Sequence, residues 1–251
     1  MKLKTLKILH FSALIILFTA CHPGETEVTI CGTLHGYHKV NPNYTYDTLF
    51  HFIEHYNPDI IGIEVRPEDM NSNVSGEYYP YEMTEVFNRN KDREVYGIDW
   101  WNAGIEGMAM SDSIIEHLPN IVWQKAYSSD TAFLNNKPAI LDELYNHKLN
   151  IAKTASIKEV VTGSYDSLTL AYYHELGQFL KGSLHERLFH SYMERHEKIA
   201  NNIADVVKAN PDKKLLFLVG ADHQVYARRK LEKIFQDRIH LNSYFSSTLT
   251  H

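Results

Sequence analysis

Two short runs, Ile60–Val65 and Lys214–Val219, are apolar along most of their length instead of alternating with polar residues. A strand that is half exposed alternates, whereas one covered on both faces by helices does not, so the chain is predicted to build a buried parallel sheet. The flanking pattern agrees. A strand at Glu27–Cys31 is followed by the turn-like stretch Gly32–Pro42, and then by Leu49, Phe52, Ile53 and Tyr56, which share one face at helical spacing. Asn57-Pro58 ends that helix, and with Ile60–Val65 behind it the segment reads as a βαβ unit. A third strand, Glu94–Ile98, stops at Asp99-Trp100-Trp101. From Gly104 to Gly182 the pattern is helical, broken near Pro119, Pro138 and Gly163, with no order among its helices fixed. His185–Asn210 reads as a long amphipathic helix, followed by the strand Lys214–Val219, a helix over Val225–Phe235 and a last strand, Ile239–Tyr244. Both ends of the chain thus run strand, Gly-x-x-His, helix, strand, a habit of α/β folds more than a repeat.

At the N-terminus Lys2, Lys4 and Lys7 precede an apolar run from Ile8 to Phe18, and Thr19-Ala20-Cys21 follows. These are the parts of an export signal. The run is about half the length of a membrane-spanning helix. Phe18-Thr19-Ala20-Cys21 resembles the lipobox of bacterial lipoproteins, which implies cleavage before Cys21 and a lipid anchor on its sulfur. The expected organisation is a signal peptide over 1–20 and one α/β domain over 21–251, placed in the cell envelope and held to a membrane through Cys21.

Removing the signal takes three of the 25 Lys and Arg residues and none of the 31 Asp and Glu, leaving 22 against 31, a net charge of −9. So acidic a chain argues against nucleic acid as a partner. With Cys21 lipidated, Cys31 has no cysteine to pair with and reads as a small buried residue. Fifteen histidines invite metal or proton chemistry, although most sit on polar faces and read as solvated.

Gly32-Thr33-Leu34-His35 and Gly220-Ala221-Asp222-His223 each begin where an apolar strand ends. Both therefore place a histidine at the carboxyl edge of the sheet, where open α/β folds bind ligands. A third such string, Gly182–His185, follows no strand. Glu64 and Asp99 also stand at strand ends; an acid there must pair, bind a cation or reach solvent. A helix cap or ion pair accounts for either one alone. Arg195 falls within the apolar face formed by Leu188, Tyr192, Ile199, Ile203 and Val206, so its guanidinium requires an anionic partner such as Glu64, Asp99 or a substrate. The tyrosine-rich segment Tyr78–Tyr81 reads as an exposed loop able to line a cleft.

Taken together, Gly-x-x-His after the first strand, Pro58-Asp59-Ile60-Ile61-Gly62-Ile63-Glu64, Glu194-Arg195-His196-Glu197-Lys198-Ile199-Ala200 and Val219-Gly220-Ala221-Asp222-His223 resemble the TraB/PrgY/GumN/Tiki group, whose fold relatives include erythromycin esterases and ChaN-type haem-binding lipoproteins. The resemblance covers the two ends of the mature chain and leaves about 104–182 unmatched. It implies an α/β fold with a mixed central sheet and a helical insertion at about 104–182. It also implies a divalent metal (Mn, Co or Zn) on His35, Glu64 and His223, with Arg195 as the late-helix arginine. Gly32 and Gly220 open the two motifs. The sequence departs from the group at His196, where asparagine is frequent, and at Asp222, where small residues are.

Three functions follow as expectations. The first is a metal-dependent hydrolase of a peptide or other amide or ester, in which the metal activates water, Glu64 or Asp99 takes its proton and Arg195 steadies the oxyanion. The second is a lipoprotein that captures haem without turnover. The third is one that sequesters a peptide.

Overall fold

The computed structural model describes residues 25–70, 74, 76–242 and 244–245. The expected signal peptide over 1–20 and the expected lipid anchor at Cys21 lie outside the described residues. Five strands, β1 (Thr26–Thr33), β2 (Ile60–Ile63), β3 (Glu94–Gly97), β4 (Lys214–Gly220) and β5 (Ile239–Leu241), make one sheet in the order β3-β2-β4-β1-β5. The α/β class is as expected. The mixed sheet implied by the resemblance is not: every pairing among the described residues is parallel. The connections explain this, because each strand is reached through at least one helix that returns the chain to the same end of the sheet.

The helices are α1 (Tyr46–Tyr56), α2 (Tyr81–Arg89), α3 (Asp112–Glu116), α4 (Pro119–Ser129), α5 (Thr131–Leu134), α6 (Ala139–Thr154), α7 (Ile157–Thr162), α8 (Tyr165–Leu180), α9 (Glu186–Ala209) and α10 (Ala221–Phe235). α1 starts at Thr45, whose side chain accepts from the Thr48 amide, and ends at Asn57 in the left-handed region (φ 47°). Successive strand residues face opposite sides of the sheet. Cys31, Ile61, Ile63, Leu216 and Leu218 pack with α1, α2 and α7. Val28, Ile30, Leu215, Phe217 and Val219 pack with α9 and α10. A separate, smaller core around Leu141, Leu176 and Leu180 joins α6 and α8.

Several boundaries differ from expectation; β1, for one, runs from Thr26 to Thr33, two residues past Cys31. β2 stops at Ile63 because the chain turns tightly, the Val65 amide donating to the Ile63 carbonyl at 2.7 Å. β5 stops at Leu241, since Asn242 is left-handed (φ 54°) and its side chain accepts from the Ile30 amide. α10 begins at Ala221, four residues early, so His223 sits in its first turn. Among the described residues no helix is long and apolar enough to cross a membrane.

Candidate active site

The strand order explains the site. β4, the fourth strand in chain order, is inserted between β1 and β2. At the carboxyl edge the segments carrying His35, His223, Glu64 and Asp99 therefore follow β1, β4, β2 and β3, four adjacent strands about 4.8 Å apart. Residues separated by up to 188 positions in the chain become neighbours without any local motif.

His35 follows β1 with a left-handed backbone (φ 49°), a conformation a histidine holds only when its surroundings fix it. Its Nδ1 lies 2.7 Å from Oε1 of Glu82, in the first turn of α2. Glu82 is fully buried, and its other oxygen has no partner among the described residues. Burial works against the charged imidazole, but the Glu82 hydrogen bond and the nearby Glu64 outweigh it, and the His35 pKa lies above the ordinary histidine value. Burial likewise opposes the Glu82 carboxylate, yet His35 holds its pKa below the usual range. The free Nε2 of His35 stands 2.7 Å from the point a Cβ on Gly220 would occupy, with Glu64 Oε2 at 3.2 Å from the same point. Glycine at 220 is thus what lets the two side chains meet over the end of β4.

Glu64 is buried and held on both oxygens: Arg195 Nη2 donates to Oε1 at 2.7 Å and the Gly220 amide donates to Oε2. Arg195 also donates from Nε and Nη2 to the two oxygens of Asp99, each at 3.0 Å. The guanidinium thereby bridges two buried acids; burial disfavours its charge, but Asp99 and then Glu64 keep its pKa above the arginine norm. Asp99 takes further bonds from the Trp100 amide and the Trp101 indole. It faces a second, smaller cavity of about 250 Å³ and is an anchor for Arg195. The role of proton acceptor expected as one option for Asp99 does not suit that position.

His223 is buried. Its Nε2 faces Glu64 Oε1 at 3.6 Å, and its Nδ1 lies 2.8 Å from Nδ1 of His196. His35, Glu64, Arg195, His196 and His223 all line one cavity of about 440 Å³, a size suited to a small organic ligand. The helices of 104–182 form its far wall. α6 contributes Tyr145 and Lys148, α8 contributes Tyr165, Tyr172 and Tyr173, and Tyr192 comes from α9. Lys148 is buried among the rings of Tyr165, Tyr172 and Tyr173 and bonds Asp222 at 2.8 Å. The Tyr165 hydroxyl donates to the same carboxylate at 2.9 Å. Burial raises the Asp222 pKa, but Lys148 and Tyr165 more than offset it, leaving it below the usual range.

Sequence reasoning located His35, Glu64, Arg195, His223 and the two glycines, and the fold brings them together. Gly32 packs behind the site, where an added Cβ would meet Gln224 at 2.5 Å. His185 of the third Gly-x-x-His string lies elsewhere, paired with Asp130. The segment Tyr78–Tyr81 is not an exposed lining loop. Tyr79 is buried with its hydroxyl on Asp69, and Tyr81, exposed at the start of α2, packs edge-on against Tyr46 and is not part of the cavity lining. Seven of the twelve described histidines are exposed, in line with the reading that most are solvated, whereas His38, His185, His196 and His223 are buried. Cys31 is the buried residue expected, its thiol pKa pushed up to about 12 by burial. Glu82, Lys148 and His196 were missed.

The metal set implied by the resemblance fits this arrangement poorly. The guanidinium of Arg195 already supplies positive charge at 2.7 Å from Glu64, and the Gly220 amide takes the other oxygen. Among the described residues no group of three or more His, Cys, Asp or Glu side chains is arranged to hold an ion.

No family model matches the chain, and no curated protein does. Among solved structures it is similar to an erythromycin esterase mutant in its open conformation, with 14% identity over 89% of this chain and 67% of that one and a TM-score of 0.33. A likeness of that size carries no argument about the site, and the fold class rests on the chain's own topology.

Proposed function

We propose that the protein is a hydrolase of an ester or amide, with a peptide or a small molecule as substrate, working without a metal step as the site now stands. The observation that carries this is the Glu82–His35 pair, an imidazole fixed by a buried carboxylate on one nitrogen with the other facing the cavity beside Arg195. That is the arrangement of an oriented general base. Water held near Nε2 of His35 attacks the substrate carbonyl and gives its proton to His35. Arg195 stabilises the negative charge that develops on the carbonyl oxygen. As the tetrahedral intermediate collapses, the protonated His35 returns the proton to the leaving oxygen or nitrogen. Asp99 and Glu64 hold Arg195 in place throughout.

The resemblance of these motifs to the TraB/Tiki group also supports a hydrolase, and the lipobox-like segment ending at Cys21 supports a lipid-anchored position in the cell envelope. The same resemblance keeps a divalent ion on His35, Glu64 and His223 as the second reading, which requires Arg195 to leave Glu64. Haem or peptide capture without turnover is the remaining alternative.

The test uses chromogenic ester, anilide and peptide substrates on purified protein before and after chelation. Turnover that persists after chelation and falls by about 10²–10⁴ in a folded His35→Gln variant supports the oriented-base reading. Turnover lost on chelation and restored by manganese, cobalt or zinc establishes the metal reading instead. Activity unchanged in His35→Gln refutes both.

A further inference from the structure

His196 takes no part in the reaction just described, yet it is one of the most constrained side chains in the protein. It is buried, stacks on Tyr226 with ring centres 4.1 Å apart, and meets Tyr173 edge-on at 4.8 Å. Its Nδ1 touches Nδ1 of His223 at 2.8 Å. Two imidazole nitrogens at that distance must share one hydrogen, because two bare nitrogens repel and two N–H groups collide. For a neutral pair only two arrangements exist. If His223 donates, its Nε2 is bare and confronts the Glu64 carboxylate, acceptor against acceptor, while His196 is left with an N–H at Nε2. That atom is buried and has no hydrogen-bond partner among the described residues, and an orphaned buried N–H is the costlier defect. If His196 donates, its Nε2 is a bare acceptor and the N–H of His223 points toward Glu64 Oε1, 3.6 Å away.

Resting on the hydrolase reading, we propose that His196 is a positioning residue. Its Nδ1–H fixes His223 as the Nε2–H tautomer, so that a neutral imidazole offers a hydrogen-bond donor to the substrate's carbonyl oxygen alongside Arg195. The N–H points toward Glu64 Oε1, but at 3.6 Å it is beyond hydrogen-bond length. Because both side chains line the cavity, the donor remains available to a carbonyl oxygen that enters beside them. A neutral donor is adequate for an oxyanion: it adds stabilisation as charge develops and does not bring a third cation beside Arg195 and Lys148. Both rings are buried, which disfavours their charged forms.

Histidine-selective ¹⁵N labelling of the full chain reads the tautomer directly, with the His223 signals assigned by their loss in His223→Gln. The expected spectrum shows a protonated Nε2 and a bare Nδ1 on His223. The opposite tautomer, or a charged ring at neutral pH, overturns the proposal. This measurement needs no turnover, so failure of the hydrolase reading is separable from failure of the assignment. In the kinetic arm, His196→Leu removes the donor and lowers kcat by about 10²-fold, with KM changed little. His196→Asn, which restores an N–H at nearly the same place, recovers most of the loss. Equal losses in folded Leu and Asn variants, or a loss confined to KM, would assign His196 a packing role only.

Discussion

His35 is placed under two opposing influences, burial and a carboxylate, and the carboxylate wins. A base acts in its deprotonated form, so kcat/KM should fall on acidification with an apparent pKa above the ordinary value of about 6.5. Glu82→Gln removes the charge that sustains the shift; the acid limb should move to lower pH and kcat should drop as the ring loses its orientation. An acid limb that Glu82→Gln leaves in place would mean that the titrating base is another group. Gly220 supplies a second test. An alanine there would put a Cβ 2.7 Å from His35 Nε2 and 3.2 Å from Glu64 Oε2. His35 is held by Glu82 and Glu64 by Arg195, so making room should cost about 1–3 kcal/mol of stability while kcat/KM falls by about 10²-fold, more than the lost stability accounts for. Equal losses of thermal stability and activity would place Gly220 in the fold instead of the site. The residues at strand ends were legible because an apolar strand announces where it stops. Glu82 was not, since an acid in a first helical turn is commonplace. His196 had a signal that went unread: it sits four residues after Tyr192 and three before Ile199, on the buried stripe of α9.

At the scale of elements, α9 delivers the counter-charge for two strand ends. Replacing Arg195 with methionine would leave Glu64 and Asp99 buried and facing each other without their bridge. The expected cost is about 3–5 kcal/mol in urea unfolding, as for other buried pairs broken from one side. Arg195→Met combined with Asp99→Asn should recover part of it, because one of the stranded charges is gone. A loss below about 1 kcal/mol would show that the three groups are effectively solvated. The position of Arg195 was readable from periodicity alone, as an interruption of an apolar stripe. The helices of 104–182 were legible as helices because Pro119 opens α4, Pro138 caps α6 and Gly163 ends α7. Their packing was not. Lys148 and the tyrosines of α8 mix polar and apolar character on one face, so no clean stripe announces that the face closes over the sheet.

For the whole molecule, the consequence is a domain built on cores of unequal size. The sheet is sealed on both faces by large apolar clusters, and β1 and β4 are buried along nearly their whole length. The wall over the cavity depends on a smaller core, with Leu141, Leu176 and Leu180 as its buried members. Local opening is cheapest where the fewest apolar groups are buried. Native-state hydrogen exchange should therefore divide the amides into two sets. Those of β1 and β4 should exchange only through global unfolding, and those of α6 and α8 through a sub-global opening of lower free energy that uncovers the site. Leu180→Ala, by creating a void in the small core, should lower the opening free energy of α6 and α8 by about 2–5 kcal/mol while affecting the opening of β4 much less. Because that opening exposes His35 and His223 to bulk solvent, the same variant should raise KM more than it lowers the stability of the sheet. If α6 and α8 instead exchange at the free energy of β4, wall and sheet unfold as one unit, and substrate must reach the cavity past Tyr37 and Tyr145, the two exposed tyrosines in its lining.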